Sequence, residues 1–340
     1  MLNNTMKVLI KPRPEIEYLL SKESVKNRYR QLIDQNTDLI FYNDIKKQDR
    51  EQVISEIDVL IGPKIEEKEF KLYNNLKMHQ TFATGLEVFN FDFYKKNDII
   101  LCNSHTHSKI IAEYAFALLL SIAKEINMND RLLREGNWDY TQYPAITLFR
   151  KTILFLGYGN IAKTLKEICL PFQMNFIAIN RTKQSDDLNI KIYSPEEKQT
   201  AIKQADIIID TLPLTKNTIN FLDTDEFKVM KPNTIIINVG RGLTINEQAL
   251  YIALKNKQIR GAAIDVWYNY PDVRGGERQE PFPCYPSKFP FHKLKNVIMT
   301  AHRAWQSDAL MVDLKPFLEN VNRFIRGEMP ENIVNLDEGY

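Results

Sequence analysis

The sequence predicts an α/β protein built on two doubly wound parallel sheets, and three observations carry that expectation. Short apolar runs alternate with longer amphipathic stretches along nearly all of the 340 residues. One run, Ile153 to Leu156, stops at Gly157-Tyr158-Gly159-Asn160-Ile161-Ala162, a G-x-G-x-x-A turn that opens a helix. A second run, Phe176 to Ile179, follows at the spacing of a strand-helix-strand unit. Composition is that of a globular protein, with length enough for two domains. With 45 basic and 43 acidic residues the formal charge is only +2, so no field draws the chain to nucleic acid or to a membrane surface.

Taken in order, Lys7 to Ile10, Leu39 to Tyr42, Val59 to Ile61, Met78 to Phe82 and Ile99 to Cys102 read as five strands. Between them, Glu15 to Ile33 and Gln48 to Ile57 carry helical spacing, which makes this part a parallel domain without a glycine turn of its own. Ser108 to Ile126 is apolar on most faces and reads as a long buried helix, capped by Ser108, that links two domains and offers a homodimer interface. Its apolar core, Ile110 to Ala123, is interrupted by Glu113 and falls short of a membrane span. Six strands then follow, at Thr152, Phe176, Ala205 to Asp210, Thr234 to Asn238, Gly261 to Ile264 and Val297 to Thr300, with an irregular stretch from Tyr270 to Pro290. Cys102, Cys169 and Cys284 have no paired spacing, so neither a disulfide framework nor a zinc site is expected. A reducing, cytoplasmic setting fits, since Val8 to Ile10 is too short for a signal sequence.

The glycine turn is where chemistry enters. Gly157 permits a tight turn, Gly159 lets the backbone approach a phosphate, and Ala162 allows close packing of helix on strand. The free NH groups near Asn160 and Ile161 then face an anion. At the end of the next strand, where a carboxylate would hold an adenine ribose, stand Asn180, Arg181, Thr182 and Lys183. A guanidinium there pairs with a 2′-phosphate that a carboxylate would repel, so NADP is expected, with NAD possible. An ordinary basic loop is the plainer reading of the same residues.

Ligands of open α/β sheets sit beyond the carboxyl ends of the strands. Arg241, between glycines after the strand TIIIN, is placed to fork onto a carboxylate, with a surface arginine as the alternative. Asp265 after GAAI is either a cofactor contact or a cap within the fold. His302 after VIMTA can exchange a proton near neutral pH, or serve only structure.

Together GYGNIA, TLPLTKNT, MKPNTIIINVGRG, GAAIDVW and PFHKLKNVIMTAH, with IIAEYAFALLLSIAKE, resemble the D-isomer-specific 2-hydroxyacid dehydrogenases over nearly the whole chain. The resemblance implies two Rossmann-like domains. A flavodoxin-like substrate domain would comprise residues 1–107 plus 304–340, and a dinucleotide domain residues 108–303, assembled as a homodimer. It implies that Arg241 binds a small 2-oxo acid and His302 donates the proton. The NH groups of Thr84, Gly85 and Leu86 would hold the substrate carboxylate, and Leu212 and Pro213 would line the cofactor. The expected reaction is NADPH-dependent reduction of that acid to a 2-hydroxy acid.

Two positions depart from the family. Ala301 stands where proline usually precedes the histidine, and Tyr270 stands where the family has its catalytic glutamate, five positions after Asp265. A phenol at neutral pH offers the imidazole no charge, so Glu277 or Glu280 would have to serve, or Tyr270 only orients the ring. The alternative function is an NADP(H)-binding sensor with weakened catalysis. His105, His107, Tyr140, Tyr143 and Trp305 lie in segments able to reach a cleft, or simply pack.

Overall fold

The computed structural model describes residues 5–12, 17, 18, 20–138, 144–182, 187, 189–271, 273, 274, 277, 278, 283–306 and 314–340, with 273, 274, 277 and 278 as backbone alone. It divides into two compact units, Met1–Thr106 with Ser307–Tyr340, and His107–Gln306.

In the first unit the strands are β1 (Met6–Ile10), β2 (Thr37–Phe41), β3 (Val59–Gly62), β4 (Met78–Thr81) and β5 (Ile100–Cys102). They pair in parallel in the order β2-β1-β3-β4-β5, the flavodoxin-like order. Strand β3 is buried along its whole length, because helices cover both faces of a parallel sheet and its residues must be apolar on both. The C-terminal helix Lys315–Ile325 returns to this unit and buries Phe317, Leu318 and Val321 against the β1, β3 and β4 side chains. A buried amide network fixes it there: Asn320 Nδ2 donates to Gln80 Oε1 at 2.6 Å and to the Glu331 carbonyl at 3.0 Å.

The second unit holds β6 (Thr152–Leu156), β7 (Asn175–Ile179), β8 (Lys191–Tyr193), β9 (Ile207–Asp210), β10 (Ile235–Asn238) and β11 (Gly261–Ile264). A two-residue hairpin of β12 (Val273–Arg274) and β13 (Glu277–Arg278) precedes β14 (Val297–Met299). The seven-stranded parallel sheet has the order β14-β11-β10-β9-β6-β7-β8, which reverses between β6 and β9. That reversal is the topological switch point at which such sheets bind ligands.

Six strands were expected here, and β8 is the seventh. It spans three residues with only Tyr193 buried, too short to show a period of two. The long helix also differs. It runs Ser108–Ala123 and ends at Lys124; Glu125 turns left-handed, with φ 54°, and a second helix, Ile126–Arg134, departs from there. Ser108 is its buried first residue rather than its cap, since His107 holds the N-cap position. This helix and Asn160–Cys169 cover one face of the sheet, while Lys198–Ile202, Thr224–Val229 and Glu247–Lys255 cover the other. Among the described residues no helix is long and apolar enough to cross a membrane.

Candidate active site

One register line crosses the second sheet and marks its carboxyl edge. Tyr193 pairs with Ile179, Ile179 with Leu156, Leu156 with Asp210, Asp210 with Asn238, Asn238 with Ile264, and Ile264 with Met299. Gly157, Asn180, Leu212, Arg241, Asp265 and His302 all lie within three residues beyond that line. Periodicity fixed the strands, and the register brings their candidate residues to one edge.

The turn after β6 is shaped for an anion. Gly157 adopts φ +80°, open to glycine but strained for other residues. Gly159 is the N-cap of the Asn160–Cys169 helix, with no side-chain cap, and a Cβ built on it meets nothing within 4 Å. The first NH groups of that helix therefore open onto space rather than onto a capping side chain, and Gly159 and Asn160 are exposed there. Ala162 is fully buried beneath, as close helix-to-strand packing requires. These residues fit a dinucleotide pyrophosphate.

Strand β7 ends at Ile179, and the Asn180 NH donates to the Tyr193 carbonyl at 3.0 Å. Arg181 and Thr182 beyond it are exposed; Lys183 lies outside the described residues. The nearest described carboxylate in this loop, Asp187, accepts from Lys166 Nζ at 2.5 Å and from Tyr158 Oη at 2.7 Å. Those two donors, lysine first, hold its carboxyl down at about 2.

Arg241 is set by the two glycines around it. A Cβ on Gly240 would lie 2.9 Å from the Leu212 carbonyl oxygen, and one on Gly242 only 2.3 Å from that of Trp267. The arginine turn is thus threaded between the backbones of Leu212 and Trp267, and glycine is required on both sides for close approach rather than for a special φ. Asn238 ties the turn internally: its Nδ2 donates to the Arg241 carbonyl and its Oδ1 accepts from the Gly240 NH, each at 3.0 Å. Arg241 Nη1 donates to the Gly240 carbonyl at 2.8 Å.

His302 sits at φ 52°, an unusual conformation for a histidine, and Asp265 maintains it. The His302 NH donates to the Asp265 carbonyl at 2.7 Å, while the buried carboxylate accepts from Thr300 Oγ1 (2.6 Å), the Arg303 NH (2.8 Å) and the Ala304 NH (2.9 Å). Sequence reasoning left Asp265 between cap and cofactor contact, and the bonds seen are of the capping kind. Tyr270 is beside His302, ring centroids 5.6 Å apart at 60°, and half exposed. Its Oη accepts from the Trp267 NH at 3.1 Å, so the phenol is anchored to the segment that clamps Gly242. The side chain of Glu277, and all of Glu280, Tyr140 and Tyr143, lie outside the described residues.

One residue of this edge was missed. Asp210, fully buried at the end of β9, accepts from the Leu212 NH at 3.0 Å, and its Oδ2 lies 2.5 Å from Thr244 Oγ1. Burial pushes its carboxyl up to about 7, against the pull of Thr244, the Leu212 NH and Arg241. A lone carboxylate after three isoleucines was the signal available in the sequence.

In the first unit, the Thr84–Leu86 loop follows β4. Thr84 Oγ1 donates to the Ser104 carbonyl at 2.6 Å, and Asn103 Nδ2 donates to the Thr84 carbonyl at 3.1 Å. Among the described residues no hydrogen bond takes up the NH of Thr84, Gly85 or Leu86. His105 belongs to this unit, His107 and Trp305 to the other.

Comparison with known proteins places these features in context. Residues 116–304 match the family described as D-isomer specific 2-hydroxyacid dehydrogenase, NAD binding domain. D-3-phosphoglycerate dehydrogenase of Methanocaldococcus jannaschii is 28% identical over 300 residues, 86% of this chain but only 54% of that relative, so the chain spans about half its length. Glyoxylate reductase of Thermococcus litoralis is 29% identical over 296 residues, covering 84% of this chain and 85% of the relative. Among solved structures, an acyclic imino acid reductase in complex with NADPH and D-arginine superimposes with a TM-score of 0.75 at 26% identity, covering 97% of this chain and 100% of that one.

Proposed function

This chain is an enzyme of the D-isomer specific 2-hydroxyacid dehydrogenase family, and from that premise we propose that it uses NADPH to reduce a small 2-oxo acid to the 2-hydroxy acid. The observation that carries this reading is the common edge on which Arg241 and His302 stand with an open glycine turn. When bound, the cofactor supplies a hydride at C4 of its nicotinamide. Arg241 binds the substrate and stabilises the charge that develops on the carbonyl oxygen. His302 holds the proton that this oxygen receives, and the Asp265 bonds fix the turn that aims it. The NH groups of Thr84, Gly85 and Leu86 hold the substrate carboxylate. Leu212, Pro213, Gly157, Gly159, Asn160 and Ile161 line the nucleotide, and Arg181, Thr182 and Lys183 with Asn180 take the 2′-phosphate. Asn180 in place of an acid at the end of β7, with the exposed Arg181 next to it, supports NADPH over NADH. The test is consumption of NADPH and of NADH with glyoxylate, hydroxypyruvate, pyruvate and phenylpyruvate. No consumption with any acid, together with tight NADPH binding, would exclude 2-oxo acid reduction and favour the sensor.

A second reading rests on Tyr270, which stands beside His302 where the family has a glutamate. A 2-imino acid that binds as its protonated iminium ion already carries the proton its nitrogen needs, so hydride addition at carbon yields the neutral amine without an acid from the protein. The NADPH-bound imino acid reductase at 26% identity supports this reading. Adding ammonia or methylamine to each 2-oxo acid distinguishes the two. Faster NADPH consumption with an amino acid as product favours the imine; an unchanged rate with a hydroxy acid as product excludes it.

A further inference from the structure

Asp210 is the buried carboxyl that the proposed chemistry leaves unused. Its Oδ2 lies 2.5 Å from Thr244 Oγ1, and the same hydroxyl lies 2.5 Å from the Arg241 carbonyl oxygen. A hydroxyl carries one proton, a carbonyl carries none, and each of these contacts needs one. Were Thr244 to donate to a carboxylate, its oxygen would face the Arg241 carbonyl with no proton between them. A proton on Asp210 satisfies both contacts: Asp210 donates to Thr244, and Thr244 donates to Arg241. The other carboxyl oxygen meanwhile holds the Leu212 NH, whose backbone packs against Gly240.

We propose that Asp210 acts as a neutral acid and positioning residue, relaying a hydrogen bond through Thr244 to the Arg241 turn while its second oxygen fixes the Leu212 loop. This rests on the reading of Arg241 as the substrate-binding arginine. One buried carboxyl then couples the substrate arginine to the Leu212 loop on the same sheet edge. Ionisation of Asp210 breaks the relay, because Thr244 must turn toward the carboxylate and release the Arg241 carbonyl. It also places a negative charge where it competes with the substrate for the guanidinium. Among the described residues, the charged and titratable groups whose influence reaches Asp210 are Arg241 and Tyr268. The Tyr268 phenol donates to the Ile245 carbonyl at 3.0 Å and is pushed up by burial, so it stays protonated.

The test is KM and kcat against pH for the wild type, Asp210→Asn, Thr244→Val and Thr244→Ser, with saturating NADPH and an acid found active in the screen. Wild-type KM should rise about tenfold between roughly pH 6 and 9, with a smaller change in kcat. Asp210→Asn keeps one donor and one acceptor without a titration, so its KM should stay flat over that range. Thr244→Val should show a raised KM already at about pH 6, and Thr244→Ser should restore the wild-type profile. An Asp210→Asn profile that superimposes on the wild type, or an unaltered KM in Thr244→Val, would overturn the proposal. If Asp210→Asn fails to fold, the valine and serine variants decide.

A wild type that reduces no acid at any pH would instead refute the role of Arg241, and the proton is then read from unfolding. Folded Asp210 keeps its proton to about pH 7, whereas the unfolded carboxyl loses it near 4. The stability it contributes is complete below about pH 4 and is lost as pH rises through about 7. Asp210→Asn should lack that decline in thermal unfolding, and equal slopes in the two proteins would sink the neutral-acid assignment.

Discussion

Gly159→Ala separates a ligand site from a mere turn, because the structure assigns it little effect on stability and a large one on binding. Gly159 has φ −93° and ψ −163°, extended backbone that alanine adopts freely, and the added Cβ meets no protein atom within 4 Å. Replacing glycine stiffens the unfolded chain by ~0.4–1 kcal/mol, but alanine is a poorer N-cap by a similar amount, so the stability of the free protein should change little. The same methyl projects ~1.5 Å into the space in front of the helix NH groups. If a pyrophosphate occupies that space, it is pushed away from at least one NH donor. A charged hydrogen bond lost in this way costs ~1.5–3 kcal/mol, or about 10- to 150-fold in Kd. NADPH affinity measured by fluorescence titration, beside the thermal midpoint of the free protein, reads both effects. An affinity within a factor of about two of the wild type would remove the pyrophosphate from this turn. Gly242→Ala supplies the contrast, since its Cβ lies 2.3 Å from the Trp267 carbonyl and the fold itself should lose ~1–3 kcal/mol.

The double change Asn180→Asp with Arg181→Ile removes the phosphate fork and restores a ribose acceptor, so the ratio of kcat/KM for NADPH over NADH should invert; a ratio still favouring NADPH places the phosphate contact elsewhere. Arg241→Ala and His302→Ala should each lower kcat/KM by at least ~100-fold while NADPH affinity, read by titration, stays within about threefold. Near-normal kcat in either variant would remove that residue from the mechanism. Tyr270→Glu sets a carboxylate beside the imidazole and should move the alkaline limb of the 2-oxo acid pH profile upward by ~1 unit. An unmoved limb would mean that another acid already serves His302 or that the imine reading holds.

The fold was legible because parallel strands buried on both faces are nearly pure apolar runs. IIID, IIIN and GAAI announced β9, β10 and β11, each buried along its whole length. What escaped was local. Strand β8 has three residues at the sheet edge, and the break at Glu125 depends on a left-handed residue that no periodicity reveals. Part of the candidate site was readable in the same way, since Arg241 and His302 each follow a strand that the apolar pattern located. The reason for Gly240 and Gly242 was not, because the obstacle is the backbone of residues distant in sequence, Leu212 and Trp267. Asp265 was visible as a residue, yet its work in holding the His302 turn became evident only with Thr300, Arg303 and Ala304 around it.

These contacts also explain why the departure at Tyr270 leaves the rest of the edge intact. The position of Arg241 depends on the backbones of Leu212 and Trp267 and on Asn238, and that of His302 on Asp265; neither set includes a carboxylate at position 270. Tyr270 uses its oxygen to accept the Trp267 NH and presents its ring to His302. The substitution therefore changes the electrostatics around the imidazole without dismantling the support of either residue. If His302 is the proton donor proposed above, an altered proton supply inside an unaltered frame would select among C=O and C=N substrates by their need for an acid.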